Sequence, residues 1–104
     1  MISQQEFDAL VSTYKKHGWV LRRVVCGREP ELNGFGDDVI LATGEVDAAW
    51  FSRPPKSGPN PWEIRFLGPT QYALVEYLDE DSPDFEEKLH QIEERLRNAV
   101  AARQ

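Results

Sequence analysis

The clearest alternation of apolar and polar positions lies in the second half of the chain, where it predicts a β-hairpin. Residues 62–67 and 72–78 are rich in aromatic and β-branched side chains, which strands favour. Between them the tetrapeptide Gly-Pro-Thr-Gln, residues 68–71, is typical of a turn. A turn of two or four residues pairs residue 64 with residue 75.

This pairing predicts one wholly apolar face and one mixed face. The apolar face collects Trp62, Ile64, Phe66, Ala73, Val75 and Tyr77. The mixed face collects Glu63, Arg65, Leu67, Tyr72, Leu74 and Glu76. A slip of one residue in either strand would scatter the apolar set over both faces, so the pattern favours this register.

Two amphipathic helices are predicted, one at each end of the chain. In the first, residues 4–17, Ser3 and Glu6 fit a capping box and Gly18 fits the residue after the helix. Its apolar stripe is Phe7, Leu10, Val11 and Tyr14. The second helix, residues 83–101, is predicted to be capped by Ser82. Its stripe is Phe85, Leu89, Ile92, Leu96, Ala99 and Val100.

Two further strands are predicted, at 19–26 and 46–53. Alternation puts one of two consecutive arginines on each face of 19–26, so its inward side is undecided. The long connection 27–45 contains the apolar segment 39–42, which fits a short strand or a helical turn. Residues 54–61 hold four prolines and are expected to form a stiff, exposed loop.

The order of these elements predicts one α+β domain spanning residues 1–104. We expect a two-layer sandwich, with a mostly antiparallel sheet of about four strands and the order α-β-β-β-β-α. Both helices are expected on one face of the sheet, over the apolar side of the hairpin.

That arrangement leaves apolar side chains on the other face of the sheet. If residue 53 lies opposite residue 62, Trp50 joins Arg65, Leu67, Tyr72 and Leu74 there. Such a patch is larger than a monomer usually exposes. Three explanations stay open: residues 35–42 fold over the patch, a second copy covers it, or another protein binds it.

Composition narrows the classes of function. The chain is 40% hydrophobic and 29% charged, which is typical of a globular protein. Its net charge of −6 argues against a nucleic-acid partner, and its apolar runs are too short to span a membrane. No secretory signal pattern opens the chain, and the single cysteine, Cys26, permits no intrachain disulfide. We therefore expect a cytoplasmic protein.

No motif indicates catalysis, a metal or a cofactor. Cys26 and His17 are the obvious nucleophile and base, but a lone cysteine after two valines is typical of a core residue. Trp50, Arg53 and Trp62, at the ends of the proline-rich loop, are the candidate residues for binding a small anionic or planar ligand by stacking and charge.

These observations lead to two hypotheses. In the first, the protein is non-catalytic and acts through protein contact, as a homodimer or with another protein. In size, acidity and mix of elements the chain is similar to small bacterial secretion chaperones and immunity proteins, a similarity that implies binding to another protein. In the alternative, the protein binds a small ligand, or is a minor enzyme, with a pocket beneath residues 27–45 and 54–61.

Overall fold

The computed structural model describes residues 1–27, 32–53 and 59–103, which contain two helices and five strands. In chain order these are α1 (Gln4–Lys16), β1 (Val20–Cys26), β2 (Ile40–Thr43), β3 (Ala48–Ser52), β4 (Asn60–Phe66), β5 (Ala73–Leu78) and α2 (Phe85–Ala101). The α+β class, the two terminal helices and the mostly antiparallel sheet are confirmed. Parts of the two predicted loops, residues 28–31 and 54–58, lie outside the described residues.

Helix α1 begins and ends as its sequence predicts. The Ser3 hydroxyl accepts a hydrogen bond from the Glu6 N–H at 3.1 Å, and the Glu6 carboxylate accepts one from the Ser3 N–H at 3.4 Å. Gly18 follows the C-cap with a φ of +84°, which glycine adopts without a Cβ clash. The Trp19 N–H then donates to the Tyr14 carbonyl at 3.0 Å and turns the chain into β1.

The strands lie side by side in the order β2-β1-β3-β4-β5. β1 and β2 are parallel, and the other neighbours are antiparallel. Most of the apolar segment 39–42 is therefore part of a strand, β2, and the sheet has five strands where about four were predicted. β2 and β5 form its two edges.

A β-bulge in β1 explains why neither face of this strand is cleanly polar. Leu21 and Arg23 pair with consecutive residues of β3, which leaves Arg22 as an extra residue. Both arginines consequently lie on the α2 side of the sheet, where Arg22 reaches the segment before α2 and Arg23 reaches its first turn. There Arg22 pairs with Glu80 at 2.6 Å, and Arg23 pairs with Glu86 at 2.9 Å.

The two helices lie on opposite faces of the sheet, which corrects the prediction of two layers with both helices on one face. Trp50 belongs to the core cluster under α2, whereas Phe51 belongs to the cluster under α1. Both side chains are fully buried, as are all five residues of β3. A central strand that is apolar on both sides needs cover on both sides, and the result is three layers.

The β4–β5 hairpin pairs one residue away from the predicted register. Ile64 lies opposite Leu74, whereas the sequence predicted Val75 as its partner. The Phe66 N–H donates to the Tyr72 carbonyl at 2.9 Å, so the loop between them has five residues, 67–71. An odd number of loop residues exchanges the two faces of β5 relative to the predicted even number.

Leu67 accounts for the extra loop residue. Its N–H donates to the Asp47 carbonyl and its carbonyl accepts from the Ile2 N–H, both at 2.8 Å, while its side chain is fully buried on the α1 side. The chain thus leaves the β4–β5 ladder at Leu67. β3 is shifted in the same sense, because Ser52 and not the residue after it lies opposite Trp62.

Helix α2 begins two residues later than predicted. Asp84 occupies the N-cap and makes no side-chain capping hydrogen bond, while the Ser82 hydroxyl bonds to the Asp84 carboxylate. The predicted apolar stripe is confirmed where it meets the sheet. Its buried members are Leu89, Ile92, Leu96 and Val100.

Candidate protein-contact surface

β5 is an edge strand, and no strand in the described part of the chain pairs with its outer side. The hydrogen bond from Phe66 to Tyr72 marks one bonded pair of the β4–β5 ladder. Bonded and non-bonded pairs alternate along antiparallel strands, so even-numbered residues of β5 bond to β4. Ala73, Val75 and Tyr77 therefore direct their N–H and C=O groups away from the sheet.

The same three residues also expose their side chains. Val75 is 51% exposed and Tyr77 is 71% exposed, and Ala73 is exposed as well. They lie on the α1 side of the sheet, but α1 packs against β1, and the core cluster beneath α1 contains no residue of β5. All three were predicted on the buried face, and the one-residue shift of register is the reason why they are exposed instead.

Polar side chains separate α1 from this exposed strip. The Tyr14 hydroxyl donates a hydrogen bond to the Glu63 carboxylate. Burial, and after it this hydrogen bond, raises the pKa of Tyr14 above its ordinary value, although Arg65 acts in the opposite direction. The Arg65 Nε is buried and has no hydrogen-bond partner among the described residues. On β5, Ala73 and Val75 lie opposite Arg65 and Glu63.

A groove of about 270 Å³ lies on the other side of the β5 edge, between this strand and α2. It is lined by Glu76, Tyr77, Leu78, Lys88, Gln91, Ile92 and Arg95. Arg95 pairs with Glu76 at 3.0 Å, and Lys88 pairs with Asp84 at 3.5 Å. Two basic side chains therefore stand beside the edge of an otherwise acidic protein.

The opposite edge of the sheet offers a shorter surface. β2 has only four residues and pairs in parallel with β1. Ile40 is 54% exposed and Leu41 is 52% exposed. This edge provides a natural comparison for β5, because it exposes apolar side chains on a strand that is two residues shorter.

The residues predicted to hold a small ligand do not share one opening. Trp50 and Trp62 meet edge to face with ring centres 6.2 Å apart, but they are only 0% and 3% exposed. Arg53 lies over the Trp19 ring at 5.0 Å, whereas the cation over Trp62 is Arg22, at 4.7 Å. The sequence analysis missed Arg22 because nothing in the alternation of β1 signals its bulge.

The residues predicted to form an interface are divided between the two sides of the sheet. Leu67 is fully buried beneath α1, and Arg65 lies beside Tyr14 on the same side. Tyr72 and Leu74 are half-buried and pack against the cluster beneath α2. The single apolar face that the sequence predicted is therefore not formed.

Of the groups expected in the alternative pocket, Cys26 lies far from Arg53 and His17. Cys26 is the last residue of β1, while Val20 begins it about 20 Å away. Arg53 follows the residue that pairs with Val20, and His17 is exposed just before β1. Burial, followed by the nearby Asp47 carboxylate, raises the pKa of the Cys26 thiol, which lowers its thiolate fraction.

A separate concavity of about 290 Å³ lies between the β2–β3 turn and α2. Two of its three carboxylates are engaged within the fold: the Trp50 indole N–H donates to Glu93 at 2.9 Å, and Arg97 pairs with Glu45 at 3.5 Å. Over residues 1–27, 32–53 and 59–103, no group of three or more histidine, cysteine or acidic side chains is placed to hold a metal ion.

No helix within the described ranges is both long enough and apolar enough to cross a membrane. Comparison with known proteins finds no match, whether to a family model, a curated protein or a solved structure.

Proposed function

We propose that this is a non-catalytic, cytoplasmic protein that binds another polypeptide by adding a strand to the β5 edge. The observation that carries the proposal is the coincidence of outward backbone groups and exposed apolar side chains at Val75 and Tyr77. In strand addition, main-chain hydrogen bonds supply affinity and alternate side chains supply specificity. β5 offers both along six residues.

The composition of β5 supports this proposal. Soluble proteins usually protect an edge strand with lysine, proline, a bulge or a covering segment. Residues Ala73–Leu78 contain no lysine and no proline, and their pairing with β4 is continuous. The one charged residue, Glu76, is paired with Arg95. An unprotected edge of this kind favours pairing with another chain.

The small-ligand alternative has less support. Cys26 and Arg53 lie at opposite ends of the sheet, and the raised pKa of the Cys26 thiol disfavours nucleophilic chemistry. The cytoplasmic location belongs to the same proposal, because the only cysteine is buried and unpaired.

Amide hydrogen exchange followed residue by residue by NMR tests the proposal. The protein is compared at low and high concentration, and with excess of a peptide that copies residues 71–79. We expect at least about tenfold slower exchange at Val75 and Tyr77 when a strand is added. The amides of Leu74 and Glu76, which already bond to β4, should change little. This alternation is specific to strand addition.

Two variants of Val75 make the test selective. Val75→Pro removes an outward N–H, which an edge strand tolerates, and it should abolish the added protection at Tyr77. Val75→Thr keeps the N–H and the β-branched shape, so it should retain that protection. Exchange at both residues as fast as in an unstructured peptide, under every condition, would contradict the proposal.

A further inference from the structure

We infer that the strand added to β5 is the β5 of a second copy, antiparallel to the first about a two-fold axis at Val75. This inference rests on the proposed function and names its partner. Two five-stranded sheets would then join edge to edge into one continuous sheet. Such an interface is isologous, because the same strand contributes from both copies.

The direction of the backbone groups limits the possible registers. Only Ala73, Val75 and Tyr77 direct N–H and C=O groups outward, so these residues must face one another across the axis. The axis then passes at residue 74, 75 or 76. With the axis at Val75, all of residues 72–78 find a partner, whereas either alternative leaves two end residues without one.

The side chains favour the same choice. An axis at residue 76 would set the two Glu76 carboxylates directly opposite each other, which is unfavourable. With the axis at Val75, the two Val75 side chains meet, and Tyr77 lies opposite the second copy's Ala73. The largest exposed side chain thus covers the smallest. Val75 and Tyr77 are 51% and 71% exposed, and the sides of them that face the second copy are then withdrawn from water.

The α2 side of the edge fits the same arrangement. The second copy's Leu74 lies opposite Glu76, at the rim of the groove that Leu78 and Ile92 also line. The Glu76 carboxylate beside it is already paired with Arg95 at 3.0 Å. The second copy's Glu76 in turn lies opposite Leu74, so neither glutamate faces another acid.

The local charge also permits self-association. A net charge of −6 on each copy opposes contact between two copies. The acidic side chains nearest β5 are, however, largely paired with bases: Glu76 with Arg95, Asp84 with Lys88, and Glu80 with Arg22. β5 itself carries one charged residue, Glu76, so the two strands that meet bring little net charge into contact.

The expected affinity is modest. An edge of six residues is about 20 Å long, which places the contact near the lower end of specific interfaces. We therefore expect a dissociation constant of micromolar order, and the dimer should dissociate on dilution.

Sedimentation velocity over a wide range of protein concentration tests the dimer. The sedimenting mass should be 11.9 kDa at the lowest concentration and should rise to twice that value at the highest. Tyr77→Lys should stay monomeric, because it sets a charge in the apolar contact. Ile40→Lys is the matched control on the other edge strand and should behave as the wild type. A wild-type protein that stays at 11.9 kDa throughout would overturn the inference, as would loss of the dimer in Ile40→Lys alone.

Cysteine cross-linking tests the register. In a Cys26→Ala background whose folding is checked by circular dichroism, Val75→Cys should oxidise readily to a linked dimer. Directly paired residues have Cα atoms about 5.5 Å apart, within the range of a disulfide. Ala73→Cys should not form a linked dimer, because the two copies of residue 73 lie about 13 Å apart in this register. Equal rates for the two variants would exclude an axis at Val75.

The outcomes separate this inference from the proposed function. If the 71–79 peptide protects the Val75 amide while the wild-type protein stays monomeric, β5 accepts a strand but not from a second copy. That result overturns the inference and leaves the proposed function standing. If the peptide gives no protection and the protein stays monomeric, both are overturned.

Discussion

The substitution Glu86→Ala is expected to lower the free energy of unfolding by about 2 kcal/mol. Arg23 is only 8% exposed, and both of its terminal nitrogens donate to the Glu86 carboxylate, at 3.0 and 2.9 Å. Removing the carboxylate leaves a buried guanidinium without these bonds. Hydrogen bonds to charged groups contribute about 1.5–3 kcal/mol, and the 63% exposure of Glu86 favours the lower value because solvent screens the pair.

Glu87→Ala is the matched control for this prediction. Glu86 and Glu87 both lie in the first turn of α2, where an acidic side chain gains about 0.3–1 kcal/mol from the helix dipole. Glu87 makes no ion pair with the described residues, so its substitution should cost that amount alone. The two variants should therefore differ by about 1–2 kcal/mol. A double-mutant cycle with Arg23→Met should assign this difference to the Arg23 pair.

Urea unfolding monitored by circular dichroism measures the difference. With a slope of about 1–3 kcal/mol per molar urea, the midpoints of the two variants should lie roughly 1 M apart. The hydrogen bonds from Arg23 lower the pKa of Glu86, so their contribution is present above the unfolded-state pKa. It is lost as the pH falls through the lower folded-state pKa, and the variants should converge in acid. Coincident midpoints at neutral pH would refute the role assigned to the Arg23 pair.

Two further predictions concern the two faces of the sheet. Because the folded-state pKa of Tyr14 is raised, its phenol keeps its proton while the unfolded chain loses it, so stability should fall as the pH rises above about 10. Tyr14→Phe should remove this part of the loss of stability at alkaline pH. Urea midpoints of both proteins at two alkaline pH values measure it, and an equal fall with pH in the variant and the wild type would contradict the prediction. On the α2 side, Leu96→Ala should cost about 2–5 kcal/mol because Leu96 is fully buried. Leu41→Ala, at a 52% exposed position, should cost less than about 0.5 kcal/mol, and similar melting temperatures for the two variants would contradict the packing of α2.

Local patterns predicted the parts of the fold that depend on neighbouring residues. The capping box of α1 and the glycine at its end follow from residues three or four positions apart, and the structure confirms both. The apolar stripe of α2 follows from the helical period in the same way. Such features need no knowledge of distant contacts, because the interacting groups are fixed by sequence spacing.

Two features were not predictable in this way: whether the number of residues in a loop is odd or even, and where a strand contains the extra residue of a bulge. Leu67 reads as the next strand residue, yet hydrogen bonds to Asp47 and Ile2, both distant in sequence, hold its backbone outside the β4–β5 ladder. Arg22 reads as an alternating residue, yet tertiary pairing makes it the extra residue of a bulge. Each case shifts a side-chain face by one position, and the first hid Val75 and Tyr77 within a predicted core.

The width of the sheet explains why an apolar strip remains at β5. A helix is about 10 Å across and neighbouring strands are about 4.8 Å apart, so one helix covers roughly two strands. One helix on each face cannot cover all five strands. On the α1 side, α1 lies over β1 while Phe35 and Val39 extend the same cluster, and Tyr14 reaches as far as Glu63 of β4, which leaves β5 bare. The apolar side chains that α1 leaves uncovered are therefore Val75 and Tyr77 on the edge strand, and not the set predicted from the sequence. A second β5 at that edge would cover the sides of Val75 and Tyr77 that face it.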